Sequence, residues 1–146
     1  MSAVVDKLLG MSQAELDDLF RASPAGEVPQ GEARGTVIFA PGSTLSDEAA
    51  KLVHLIAWQG KVFDPDKGEL RNEVTPFRVH AVRAKVYKAP SWLDGNESIV
   101  LDYSQTSLVA HWVRDEIREI GPGTYLGIVY WKRSKLIDFV LEFPAA

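Results

Sequence analysis

The chain predicts a mainly β fold, an antiparallel up-and-down barrel with two short helices in its N-terminal half, and three observations carry that prediction. Four runs with strand-like alternation, Ser98–Ser104, Val109–Ile120, Thr124–Trp131 and Leu136–Phe143, follow one another through short, turn-rich connections, the pattern of antiparallel neighbours. After residue 60 strands do not alternate with helices, which argues against a parallel, doubly wound sheet. A long series of antiparallel strands must also protect its edges, and closure into a barrel removes them.

Ser12 followed by Glu15 has the form of a capping box, and Leu16, Leu19 and Phe20 recur at helical spacing, so Ser12–Arg21 reads as a short helix. Its apolar stripe suits it to lie on, or plug, whatever the strands enclose. Ser23-Pro24-Ala25-Gly26 stops it with residues that break helices. Residues 1–30 are therefore expected to form a helical arm and residues 31–146 the barrel of one domain.

Gly31–Ala40 carries the β-rich run Thr36-Val37-Ile38-Phe39 and ends at Pro41-Gly42, a first strand. A second capping signal at Ser46, with Asp47 and Glu48 beside it, opens an apolar helix through Leu52, Val53, Leu55, Ile56 and Trp58 to Gly60. His54 lies within it, at the edge of the packed face. Lys61–Asp64 reads as a short strand, Asp64-Pro65-Asp66-Lys67-Gly68 as a turn and Glu69–Thr75 as the returning partner. Pro76 breaks the chain before the long run Phe77–Lys88, whose alternation falters at Ala81–Arg83 and suggests a bulge. Leu93-Asp94-Gly95-Asn96 then turns into the final meander. The total is seven to nine strands.

Composition removes several function classes. The chain has no cysteine and only three scattered histidines, which excludes disulfides, thiolate metal sites and cysteine nucleophiles, and no metal or cofactor is expected. A net charge of −4 gives no reason to expect nucleic acid, which needs concentrated Lys and Arg. Near the start, Val4-Val5 and Leu8-Leu9 are interrupted by Asp6 and Lys7, unlike the apolar core of a signal peptide. No segment approaches the roughly 20 apolar residues that span a bilayer. A cytoplasmic protein without a membrane span is the expectation. Phosphate-loop, nucleophile-elbow and His-Glu-x-x-His motifs are absent.

Residues two apart in a strand share a face. Ile137, Phe139, Leu141 and Phe143 form a uniformly apolar set opposed by Leu136, Asp138, Val140 and Glu142, so the aromatic set is expected to point inward. Ile99, Leu101 and Tyr103 are the inner set of the first meander strand. In Val109–Ile120 the face more apolar in its middle carries Val109, His111, Val113, Asp115, Ile117 and Glu119. Turning it inward leaves Arg114, Glu116 and Arg118 outside, with Glu116 and Arg118 as a solvated cross-strand charge pattern. Thr124–Trp131 is apolar on both faces, and alternation leaves its orientation open.

An eight-stranded barrel either fills with its own side chains or holds one small ligand. The expected lining is Ile99, Leu101, Tyr103, His111, Val113, Asp115, Ile117, Phe139 and Leu141. A carboxylate among inward apolar groups must pair, hydrogen-bond or take up a proton. His111 lies roughly 13 Å from Asp115 along an extended strand at ~3.3 Å per residue, too far for a dyad. The structural alternative for Asp115 is a salt bridge to Arg83, Lys85 or Arg118. If there is catalysis, Asp115, His111 and Tyr103 are the candidates to carry it.

Three local patterns resemble the lipocalin-like proteins of the GXWXG type, a family of small, mostly uncharacterised bacterial and fungal domains. They are Glu15–Gly35, ending in Gly31-Glu32-Ala33-Arg34-Gly35; Trp58-Gln59-Gly60-Lys61-Val62-Phe63, followed by Val74-Thr75-Pro76-Phe77; and Asp115–Ile120 with Tyr125-Leu126-Gly127 and Phe139-Val140-Leu141. Ala33 departs from the pattern, standing where the family name has tryptophan. The resemblance implies a calycin-like, lipocalin-like barrel and a hydrophobic small-molecule ligand, and it brings no catalytic residues with it.

Three functional readings follow. The first is a barrel that binds a small apolar molecule such as a fatty acid, terpenoid, polyketide or aromatic metabolite. The second is an enzyme, a cyclase, isomerase or hydrolase of secondary metabolism, using the same cavity with Asp115 as acid or base. The third is a filled barrel acting through its outer surface as a homodimer or partner module, with Val129 and Trp131 or their alternates exposed.

Overall fold

The computed structural model describes residues 3–38, 61–72, 82–104 and 113–143. Among them lie two helices, α1 (Ala3–Leu9) and α2 (Gln13–Ala22), and eight strands. The strands are β1 (Gly31–Ile38), β2 (Lys61–Asp64), β3 (Glu69–Asn72), β4 (Val82–Pro90), β5 (Glu97–Asp102), β6 (Val113–Gly121), β7 (Thr124–Trp131) and β8 (Ser134–Glu142). Each pairs antiparallel with the next, and β1 also pairs with β8, so the meander closes into the expected barrel.

The seam is β1. Its first residues, Gly31 to Ala33, pair with β2, and its remaining residues, Arg34 to Ile38, pair with β8. One strand thereby serves two neighbours along different parts of its length, and closure leaves no long open edge.

The expected capping box is present. Glu15 N–H donates to Ser12 Oγ at 3.2 Å and Ser12 N–H donates to Glu15 Oε1 at 3.0 Å, which satisfies two donors at the start of α2. That carboxylate is held below its ordinary pKa by the same bonds. The expected apolar helix from Ser46 to Gly60, with His54 and Trp58, lies outside the described residues. The short helix α1 was not expected. The available signal was Val5 and Leu8, spaced i, i+3 and both buried, with Asp6 and Lys7 turned away from the packed side.

The fold has two apolar clusters. The inner one gathers Ala33, Phe63, Ala84, Val86, Ile99, Leu101, Tyr103, Val113, Ile117, Tyr125, Val129, Ile137, Phe139 and Leu141 inside the barrel. The outer one joins Val5, Leu8, Leu16 and Phe20 of the helices to Ile38, Leu126, Ile128, Tyr130 and Val140. The helices therefore lie on the outside of the wall, over β1, β7 and β8, and do not plug the barrel. This explains why β7 is apolar on both faces: one face lines the interior, and the other carries the helical arm.

The bulge suggested at Ala81–Arg83 begins at Ala81, which lies outside the described residues. Val82 and Arg83 pair regularly with Asn72 and Arg71, whereas the register shifts between Glu119 and Gly121 in the β6–β7 pair and between Val129 and Tyr130 in the β7–β8 pair. Among the described residues, no helix is long and apolar enough to cross a membrane.

Candidate ligand-binding site

The inner wall brings together eight of the nine residues expected to line it: Ile99, Leu101, Tyr103, Val113, Asp115, Ile117, Phe139 and Leu141 are all buried. His111 lies outside the described residues. Register places the set on one side of the sheet, because directly opposed residues in an antiparallel pair point the same way. Ile99 faces Ile117, Leu101 faces Asp115, and Asp115 in turn faces Val129. Asp115, with no exposed surface, is therefore ringed by Leu101, Val113, Ile117 and Val129. Tyr103 stands one diagonal step from it, next to Val113, whose carbonyl accepts from Tyr103 N–H at 3.4 Å. Diagonal neighbours are roughly 7–8 Å apart at Cα, within reach of an aromatic side chain.

Residues on other strands complete the wall. Ala84 and Val86 of β4, Phe63 of β2, Ala33 of β1, and Val129 and Ile137 of β7 and β8 belong to the same cluster. The alternation of β8 already pointed to Ile137, and that of Ala84-Lys85-Val86 on β4 was there to be read, whereas Phe63 lies on a four-residue strand and Val129 on one apolar on both faces. Gly127 settles the facing of β7. It pairs with Phe139, and the Phe139 ring lies over it so closely that a methyl group there would collide with the ring.

One end of the barrel is closed by the segment between α2 and β1. Ala25 and Val28 pack on the inner cluster. Glu119 N–H donates to the carbonyls of Pro24 and Ala25 at 3.1 and 3.3 Å. Gly26, at φ 75°, lies against the Glu119 side chain, where any Cβ would clash. Tyr125 Oη donates to the Glu27 carbonyl at 2.6 Å; burial, with Glu119 and Glu27 nearby, pushes the Tyr125 phenol up to about 12. The Phe143 ring meets Phe63 and Tyr125 edge to face, each at 5.6 Å. At the opposite end lie the last residues of β1, β3, β5 and β7 and the Lys132-Arg133 turn. Tyr103 and Val113 are nearest to that end.

The outer wall of β6 overturns one expectation. Glu116 and Arg118 are not a solvated charge pattern: both are fully buried. The five N–H groups of Arg118 reach five acceptors. Its Nη atoms bond the Asp94 carboxylate in a fork at 2.8 and 2.7 Å, the Phe20 carbonyl at 2.8 Å and the Asn96 carbonyl at 3.1 Å, and Nε bonds the Glu97 carbonyl at 3.2 Å. The guanidinium also lies 4.4 Å from the centre of the Phe20 ring. Arg118 thereby ties the end of α2 to the β4–β5 loop. Its hydrogen bonds hold the Asp94 carboxyl down at about 2.

Glu116 anchors the same loop. It accepts from Ser91 Oγ at 2.5 Å and Trp92 N–H at 2.9 Å, and pairs with Arg114 at 3.0 Å. The loop folds back over β6, with Trp92 between Arg114, Arg133 and the edge of Tyr130. On β8, Asp138 accepts from Gln13 at 3.0 Å and pairs with Lys135, which also contacts Asp17 of α2. Burial pushes the Asp138 carboxyl up. The residues named for an exposed patch on β7 lie elsewhere: Val129 faces inward, Trp131 packs against the inner cluster, and Leu126, Ile128 and Tyr130 lie beneath the helices. The expected exposed apolar patch on β7 is covered.

Six polar or charged side chains are buried among the described residues: Ser91, Ser98, Asp115, Glu116, Arg118 and Asp138. All but Asp115 belong to the outer wall or to the loop upon it, so Asp115 alone of the six faces the interior.

No family model matches the chain, and no curated protein matches it. A crystal structure of a protein from Thermomonospora curvata is similar over 97% of this chain and 97% of that one, with a TM-score of 0.63 and 16% sequence identity. At that identity the likeness is one of fold, a mainly β antiparallel barrel with accompanying helices.

Proposed function

We propose that the barrel binds one small, mainly apolar molecule in its interior, as lipocalin-like proteins do, and that Asp115 orients it. The observation that carries this reading is an apolar inner wall, sealed at one end, into which one fully buried carboxylate projects among the described residues. Ligand pockets combine apolar walls, which supply most of the binding, with a few placed polar groups that fix orientation. The helices α1 and α2 pack on the outside of the wall and do not enter the interior. The order of elements also supports kinship with the GXWXG-type domains, with Ala33, at the position of their tryptophan, on the inner wall.

A panel of terpenoids, polyketides, aromatic metabolites and alkyl lipophiles tests this by titration of aromatic emission. Trp131 packs on the inner cluster and serves as a reporter. Saturable binding at one molecule per chain is the expected result; failure of every member to saturate would count against the reading. Asp115 and Tyr103, both buried and a diagonal step apart, also favour a second reading as a general acid and base. Asp115→Asn separates the two, because an enzyme loses turnover while keeping affinity, and a carrier has no turnover to lose.

A further inference from the structure

The β7–β8 turn is made of residues that its backbone does not favour. Trp131 pairs with Ser134, so the loop between them has two residues, Lys132 and Arg133, at φ 49° and 71°. Positive φ at both central positions is the pattern of a type I′ hairpin turn, which Asn-Gly makes with least strain. Both side chains are exposed. The Arg133 guanidinium lies 4.5 Å from the centre of the Trp92 ring, and that of Arg114 lies 4.2 Å from it. Arg114 is engaged by Glu116 and the Pro90 carbonyl, whereas Arg133 pairs with no carboxylate among the described residues. A guanidinium stacked by its face keeps its in-plane N–H groups for an oxyanion. Trp92 is itself exposed but fixed: its N–H donates to buried Glu116 at 2.9 Å, and its ring meets Tyr130 edge to face at 5.2 Å.

Resting on the reading that the barrel holds an apolar molecule, we infer that the Lys132-Arg133 turn, with Trp92 beside it, docks reversibly on an anionic lipid surface, where that molecule is taken up or returned. Three observations converge on this partner. The turn stands at the end of the barrel opposite the seal formed by Gly26, Glu119 and Tyr125. An exposed indole flanked by Lys and Arg is the combination that anchors at a bilayer interface, the ring at headgroup level and the cations against anionic lipid. The chain as a whole carries a net charge of −4, so the attraction is local, which orients the molecule turn first and keeps the binding weak enough to reverse. An acidic protein segment would meet the same cations. The cargo favours the bilayer, because an apolar molecule leaves water for hydrocarbon.

Flotation of the full chain with vesicles of phosphatidylcholine, alone or mixed equally with phosphatidylglycerol, tests this. At low salt the mixed vesicles should hold the protein at least about tenfold more tightly than the neutral ones, and about 0.5 M NaCl should remove the difference. Binding should shift tryptophan emission to the blue, and Trp92→Phe should abolish that shift. Arg133→Gly keeps the turn, since glycine suits its positive φ. It should fold at least as stably as wild type while binding mixed vesicles about fivefold more weakly, and Arg133→Glu should weaken binding further. Equal binding to both kinds of vesicle, binding to neither, or vesicle affinity unchanged in both Arg133 variants overturns the inference. Soluble polyglutamate captured through Arg133 while vesicles are ignored does so too. In each of those cases a lipophile-binding barrel still stands. Failure of the whole lipophile panel to bind removes the underlying reading instead, and the transfer role with it.

Discussion

Arg118 spends its whole donor set on groups from three separate segments: the last turn of α2, the β4–β5 loop and the start of β5. Replacing it with Met keeps much of the apolar stem but strands the Asp94 carboxylate and three backbone carbonyls. Removing one partner of a buried pair costs about 3–5 kcal/mol, so Arg118→Met should lower unfolding free energy by that order in a urea titration. A midpoint equal to wild type would contradict the clamp. The pH dependence follows from Asp94. Its folded carboxyl sits at about 2 against an ordinary 3.8, so the stability it adds is complete above its ordinary value and disappears as pH falls through 2. Asp94→Asn should be less stable than wild type at neutral pH and should lose less between pH 4 and pH 2. Parallel acid limbs would be inconsistent with the pairing.

The arm α1–α2 is held by its own apolar cluster, independent of the barrel interior. Leu16 is fully buried between α2 and the outer wall, and Leu16→Ala should cost about 2–5 kcal/mol through lost burial and the cavity left behind. Because Leu16 does not belong to the inner cluster, the affinity for a lipophile should stay within about twofold of wild type under conditions where the variant remains folded. Stability unchanged, or affinity lost together with stability while the barrel remains intact, would argue against separate inner and outer cores. The same division explains what could be read in advance. Ile137, Phe139 and Leu141 form an unbroken apolar set against a mixed one, Leu136, Asp138, Val140 and Glu142, and their facing was legible from sequence. Thr124–Trp131 was not, because alternation describes one core and this strand serves two. Arg118 and Glu116 were assigned correctly to the outside and wrongly to water. Alternation reports a side of the sheet, and it carries no information about a distant arm or a loop folding over that side.

The closed meander was legible because its strands are consecutive and their turns short, so local signals sufficed. The seam was not. The division of β1 between β2 and β8, and the seal formed by Gly26, Glu119 and Tyr125, depend on contacts between distant parts of the chain. Together these features give a barrel with α1 and α2 outside, one end sealed and, among the described residues, one fully buried carboxylate turned into an apolar interior. A crystal structure with the tightest-binding lipophile addresses that arrangement directly. One molecule should appear within the barrel against Leu101, Val129 and Phe139, its polar end at Asp115. A ligand seated on the outer wall, or side chains from opposite strands meeting throughout the interior with no room between them, would contradict it.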